Sequence, residues 1–430
     1  MHPVVRIFGI AAVFAVTSIA WMIFGGVMRV RSGDQSSELR GEVSELWGSP
    51  QQQKAPTFTF VRQIQETQAT TEIVDGAVRE VRREVTRTEE RPVAPASTAI
   101  EAGLELDQRL RGLMWYSLYD VDFTGRWTYT HADENPGTLR IGFEFPSADG
   151  LYDGFRFVVD GEDHASSLRP EAGAVTYDVP VEPGEQVTLE IAYRSRGMSE
   201  WRYTPAVGVA NLEDFSLTME TDFADIDFPV RSLSPSSRAR AGDGWRLSWT
   251  FERIVTGHDI GMVMPVPIQP GELAAALSFS APVSLLFFFL ILFVLGTMRG
   301  IDIHPINYLF LGGAFFAFHL LFGYSVDHVN VVLAFVICSV VSVLLVTTYL
   351  RLVVSPRFAF LEAGAAQMVY LVGFSLAHFW DGFTGLTVTV LSVLTLFLLM
   401  QLTGRVRWSE ALASRKAANA PTPPPGQPAA

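Results

Sequence analysis

Apolar residues are spread very unevenly along this chain. From about Leu277 to Leu402 they form five long stretches separated by very short polar connections, and a sixth, Ile7 to Met28, stands alone at the front. Stretches of about 20 residues match the ~30 Å hydrocarbon core of a bilayer crossed by a helix. We place spans at 7–28, 277–298, 306–324, 330–350, 358–379 and 383–402. The first is expected to be a retained anchor rather than a cleaved leader. Its apolar run exceeds the roughly 7–15 residues of a signal peptide core, and no small-x-small cleavage site follows. His304-Pro305 and Ser355-Pro356 mark helix starts, where a missing N–H costs nothing.

Between the first span and the rest, the pattern changes to short alternating and β-branched runs broken by Gly, Pro and Asp, which is the signature of strands. The clearest are Thr57–Val61, Trp115–Tyr119, Trp127–Thr130, Leu139–Phe145, Phe155–Val159, Gln186–Tyr193, Phe215–Thr221 and Trp245–Phe251. Asp75-Gly76 and Asp160-Gly161 read as hairpin turns. The charge-dense run Val78 to Arg91 reads as an exposed hairpin arm, its charges solvated. So many short strands predict an all-β domain, antiparallel and sandwich-like, with two lobes as an option and a break near Pro136-Gly137. The fold class is therefore a six-span α-helical membrane bundle plus a large all-β domain. The segments are 1–29 (anchor), 30–272 (β domain), 273–404 (five-span bundle) and 405–430 (tail). The Ala- and Pro-rich tail is expected to be disordered.

Charge orients the spans. Arg299, the Arg351 to Arg357 connection and the tail with Arg405, Arg407, Arg415 and Lys416 are basic, whereas Tyr324 to Val329 and Trp380-Asp381-Gly382 contain no Lys or Arg. The positive-inside rule puts the basic set in the cytoplasm, with both termini, and residues 30–272 outside. Arg29 and Arg31, just beyond the first span, run against this. The net charge of −13 comes from the middle of the chain and gives no footprint for nucleic acid. The only cysteine, Cys338, lies in a span, so neither an intrachain disulfide nor a cysteine-based metal site can form.

Candidate chemistry is sparse. No H-x-x-x-H, H-E-x-x-H, G-x-S-x-G, P-loop or G-x-G-x-x-G pattern occurs, and the Asp222 to Asp227 cluster lacks the Gly and closing Glu of a calcium loop. We assign no catalytic, cofactor or metal residues and expect a non-enzyme. Within or at the edge of the spans, His319, Glu362, Gln367, His378 and Asp381 are the candidate functional residues, because polar groups there are costly. A proton or ion path through them competes with a plainer role as interhelical hydrogen-bonding groups, which we favour. The small residues Gly312, Gly313, Gly364, Ala365 and Ala366 read as close helix contacts.

Three segments carry a resemblance. Ile303-His304-Pro305-Ile306-Asn307-Tyr308-Leu309 opens a span. Trp47-Gly48-Ser49-Pro50-Gln51 follows the first span, and Arg109 to Tyr119 reads RLRGLMWYSLY. In this order, with this layout, the chain resembles the CreD family of bacterial inner-membrane proteins across its whole length, as a distant branch. The resemblance implies a periplasmic middle domain and a role in cell-envelope integrity; it supplies no catalytic residues. Trp47, Gly48, Pro50 and Gln51 form a candidate loop, read first as a rigid turn. The expectation is an inner-membrane envelope protein whose β domain binds an envelope component or periplasmic protein partner, with the lipid bilayer around its spans. The alternative is a transporter or lipid-handling component using the polar residues of the bundle.

Overall fold

The structure, a computed structural model, describes residues 3–404 except 75–76, 112–113, 148–149, 207 and 381; side chains are also left undescribed at 3–4, 35–40, 45–46 and 68–83. Two compact units emerge. One is built from Met1–Glu38 together with Ile268–Ala430, the other from Leu39–Pro267.

The second unit is a β structure. Its strands are β1 (Gln51–Lys54), β2 (Thr57–Val74), β3 (Ala77–Val93), β4 (Ser97–Arg111), β5 (Met114–Thr130), β6 (Gly137–Glu144), β7 (Tyr152–Val159) and β8 (Glu162–Asp163). They continue as β9 (Ala174–Val181), β10 (Gln186–Met198), β11 (Glu200–Thr204), β12 (Ala210–Thr221), β13 (Ser237–Ala241), β14 (Gly244–Thr256) and β15 (Ile260–Val263). The large sheet runs β13-β14-β12-β4-β5-β10-β7-β8, the middle one β3-β2-β6-β9 and the small one β1-β11-β15. Every predicted strand lies on one of these. Trp115–Tyr119 and Trp127–Thr130 prove to be two parts of the single strand β5. Gly125 hides that continuity in the sequence, since glycine weakens a strand; here the Trp127 indole folds over it, 2.2 Å from where a Cβ would stand.

Pairing is mostly antiparallel, as alternation suggests, but two contacts are parallel: β1 with β11 and β12 with β4. Alternation tells which face of a strand is buried and nothing about which distant strand lies beside it. One core runs through all three sheets, from Phe58 and Trp127 to Trp249 and Met264. Pro136, exposed, and Gly137 connect β5 to β6. Asp160 and Gly161 both take positive φ, 50° and 88°, the geometry of a two-residue type I′ hairpin. The arm is the long β2–β3 hairpin, closed by Val74 opposite Ala77; the expected turn residues Asp75-Gly76 lie outside the described residues. Residues Glu84 to Arg91 on the arm are exposed.

The first unit contains six helices long and apolar enough to cross a membrane: Val5–Asp34, Pro270–Met298, Pro305–Ser325, Val331–Val353, Phe358–Phe379 and Thr384–Thr403. The helix bearing the first span extends well past the predicted end at Met28, running from Pro3 to Trp47.

Spans one and three lie side by side and run in the same direction. Arg6 pairs with Asp302 at 2.6 Å and Arg31 with Asp327 at 2.5 Å, and in both cases the partners are 296 positions apart. The two arginines are separated by roughly 37 Å of helix, close to the thickness of a bilayer. Between these ends, Gly9 sits against Pro305, Thr17 against Gly312, and Phe24 and Met28 against Gly323. Trp21 meets Phe315, Phe316 and His319 edge-on. Small residues on one side and large ones on the other give the close approach that helices need where no hydrophobic drive separates them from lipid. Arg31, which ran against the charge rule, is thus neutralised by its own acid. Its guanidinium also lies 5.6 Å over the Tyr324 ring.

Span five is irregular. Phe358–Ala363 and Met368–Gly373 are π-helical turns on either side of Gly364–Gln367. Of span six, only Thr395 and Leu399 are buried. The tail beyond Gly404, including the four basic residues used for orientation, lies outside the described residues.

Candidate functional site: a polar cleft in the β unit

The segment Trp47-Gly48-Ser49-Pro50-Gln51 leads into β1 and shapes the side of a cleft of about 710 Å3. Each residue has a local reason to be there. Trp47 ends the first helix and packs against Val43, Met114, Tyr116, Leu118 and Met198. Arg109 and Arg111 of β4 lie 5.3 and 5.8 Å from its ring centre, a cation–π clamp. Gly48 turns the chain at φ 109°, and any Cβ there would come within 2.5 Å of the Arg196 carbonyl oxygen. Only glycine allows that approach. Pro50 is exposed and does not line the cleft. Gln51, 2% exposed, donates through Nε2 to Ser195 Oγ at 2.8 Å and to the Arg196 carbonyl at 2.9 Å. Its Oε1 is buried and receives no donor, a costly arrangement for an amide.

The opposite wall comes from β10 and β5. Arg194 pairs with Asp122 at 2.9 Å and Arg196 with Asp120 at 2.8 Å, so the guanidinium groups enter the cleft already paired. Ser49, Ser147, Asp153 and the highly exposed Leu151 also line the cleft. Below it, Tyr193 donates to Gln53 Oε1 at 2.7 Å and Tyr119 to the Glu200 carbonyl at 2.8 Å. Burial pushes both phenols well above their ordinary pKa, so they remain neutral donors. The result is a fixed polar surface with an indole and a leucine at its edges and no dominant charge.

Sequence reasoning found Trp47, Gly48 and Gln51 of this site but missed Asp120, Arg194, Ser195 and Arg196. One signal was available: Val187, Leu189, Ile191 and Tyr193 occupy the inward positions of β10, and the next is Ser195, itself buried. A small hydroxyl at the end of an apolar inward row marks a place where a polar partner arrives.

The polar residues of the spans do not converge on one centre. His319 is 2% exposed; its Nδ1 lies 3.2 Å from the carbonyl of Phe315, one turn earlier in its own helix. His378 repeats this with Phe374, also at 3.2 Å. Glu362 is elsewhere, bonded to Arg299 at 2.5 Å beside the connection that follows span two. Gln367, fully buried, donates to Ser342 Oγ at 2.9 Å, and Ser342 donates to the Ala314 carbonyl at 3.0 Å. That chain ties spans three, four and five together near their middles. Asp381 lies outside the described residues.

Other histidines and acids of the β unit are bonded locally. His131 bridges Tyr129 and the Asn135 carbonyl, and His164 stacks on Tyr177. Asp222 accepts from the Leu106 N–H and Asp227 from the Phe228 N–H. Among the described residues no group of three or more His, Cys, Asp or Glu is placed to hold a metal ion.

Residues 279–409 match the family model described as inner membrane protein CreD. No curated protein matches the chain. Among solved structures, a Legionella pneumophila subsp. pneumophila str. Philadelphia 1 protein provisionally described as nutrient binding aligns over 45% of this chain and 73% of its own. At 11% identity and a TM-score of 0.28, that likeness carries no argument.

Proposed function

We propose, taking as premise the CreD-family membrane segment at residues 279–409, that this multi-pass membrane protein is a non-enzymatic component of the inner membrane that supports envelope integrity. In this reading both termini are cytoplasmic and residues 30–272 are periplasmic, following the basic connections. The β unit recognises an envelope component at the Gln51–Arg196 cleft, and the spans hold it at the membrane. The observation that carries the reading is the cleft. It is large enough for a small ligand or a peptide segment, its polar groups are preset by hydrogen bonds, and apolar groups stand at its edge. Because Arg194 and Arg196 are each matched by an aspartate, the favoured ligand is polar without strong net charge.

A photo-cross-linking residue in place of Leu151 in the full-length protein tests this in intact cells. A discrete adduct at position 151, weakened by Gln51→Ala and lacking when the probe replaces Val255, is the expected result. No adduct at 151, or equal adducts at both positions, would overturn it.

The transporter alternative needs a continuous polar path. His319 and His378 instead bond back to their own helices, and Glu362 is bonded to Arg299, all of which supports an anchoring role for the spans.

A further inference from the structure

The β2–β3 arm leaves its sheet as a ribbon of two strands. β6 accompanies β2 only from Thr57 to Val61; from Arg62 to Val74 the neighbour of β2 among the described residues is β3 alone. β3 is the outer strand of that sheet. Along the ribbon, Gln63, Gln65, Glu66 and Thr67 on β2 and Glu84 to Arg91 on β3 are exposed. Two strands without a buried face are marginal in water, and a third is what makes such a sheet stable. The unpaired N–H and C=O groups of an edge are a template for that strand. The charges of β3 say which strand it is.

Charged residues usually guard an edge by repelling a second copy. Those of β3 do so in every two-fold setting but two. When two copies pair antiparallel about an axis normal to the sheet, residues equally far on either side of the axis lie opposite each other. Opposite charges there favour pairing and like charges oppose it. With the axis at Thr86, position Arg83 lies opposite Glu89 and Arg82 opposite Glu90, each twice by symmetry, and no like charges meet. With the axis at Val85, Arg83 meets Arg87, Glu80 meets Glu90 and Arg79 meets Arg91. At Arg87 that residue meets its own copy, and Glu84 meets Glu90. An axis at Arg82, Arg83, Glu84, Glu89 or Glu90 likewise sets a charge against itself. At Thr88 the pairing gains only Arg87 with Glu89 before it reaches Pro92, which has no N–H to offer. Within the chain Glu89 is bonded to Arg62 at 2.6 Å and Glu90 to Arg140 at 3.1 Å, yet their side chains stay 46% and 54% exposed. A carboxylate has two oxygens, so a second arginine adds to the first.

We infer that β3 is an interface between two copies of this chain, paired antiparallel about Thr86 into a four-stranded sheet in the order β2-β3-β3-β2. The free edge of β2 sets no comparable register, since its only charges from Gln63 to Val74 are Glu66 and Glu72. The inference stands independently of the cleft reading.

Full-length protein carrying Cys338→Ser and Thr86→Cys, in native membranes treated with copper phenanthroline, tests the register, because directly opposite Cα atoms of an antiparallel pair lie within disulfide reach. Disulfide-linked dimer should exceed that from Thr67→Cys on β2, in the same background, at least about tenfold. Arg82→Glu with Arg83→Glu sets acids against acids, Glu89→Arg with Glu90→Arg sets cations against cations, and each should lower the Thr86→Cys dimer about tenfold. Co-expressed with different tags, the two reversed chains face each other with opposite charges throughout, and mixed dimer should return to the wild-type yield. The comparison of positions 86 and 67 decides by itself where a reversed chain does not fold. No dimer through position 86, equal dimer through position 67, an unchanged yield on charge reversal, or no recovery in a mixture of folded reversed chains would each overturn the inference.

Discussion

The two ends of the seam between spans one and three use the same pair of residue types in opposite ways. At one end the acid is the sheltered partner: Asp327 is 13% exposed and Arg31 34% exposed. At the other the cation is sheltered, with Arg6 at 4% and Asp302 at 54%. The Arg31 pair is nearly self-sufficient, with a salt bridge and an aromatic face. The Arg6 pair is enclosed by protein, its guanidinium 5.1 Å from the centre of the Phe293 ring and beside the buried Tyr308 hydroxyl. The difference teaches that an ion pair spanning two helices is not one kind of interaction. Which partner is desolvated decides how much is lost when the other is removed.

The largest effect expected from breaking this comparison is at the Arg6 end. Asp302→Asn strips the anion from a buried guanidinium and should cost about 3 kcal/mol, since an uncompensated buried charge is heavily penalised. Denaturant unfolding of the full-length protein in micelles checks it. Asp327→Asn should cost less, about 1 kcal/mol, because Arg31 can turn to water and such pairs are screened. If the two substitutions cost the same, the distinction between the ends fails. In the middle of the seam, Gly312→Leu would push a side chain into Thr17, 3.2 Å from the Cβ position, and Phe289 at 3.4 Å. Overpacking of this kind should cost roughly 1–3 kcal/mol and loosen both ends together. Smallest of all, Gln367→Leu removes an amide whose Oε1 is already unpartnered; the change should stay within about 1 kcal/mol, read by the same unfolding curves.

Much of the architecture is legible from local pattern. The spans at 277–298 and 358–379 coincide with the ends of observed helices at Met298 and over Phe358–Phe379, because apolar length alone demands burial in lipid. The first helix runs past its predicted end because Arg29 to Trp47 carries no apolar periodicity to mark a helix that hydrophobicity does not drive. In the candidate site, Gly48 and Gln51 stood out as a short unusual turn. Their partners Ser195 and Arg196 are nearly 150 residues away in a strand chosen for its apolar face, and no local feature links the two.

What the sequence by itself determined is what each segment must be buried against: lipid for the long apolar runs, a sheet face for the alternating ones, water for Glu84 to Arg91. The tertiary structure alone decided the partners. It laid span one along span three at an offset of 296, set β12 parallel to β4, and brought Gln51 to Ser195. The physical reason is that hydrophobic periodicity is a property of neighbours in the chain, whereas ion pairs, strand register and the turn at Gly48 are settled by groups that meet only once the chain has folded.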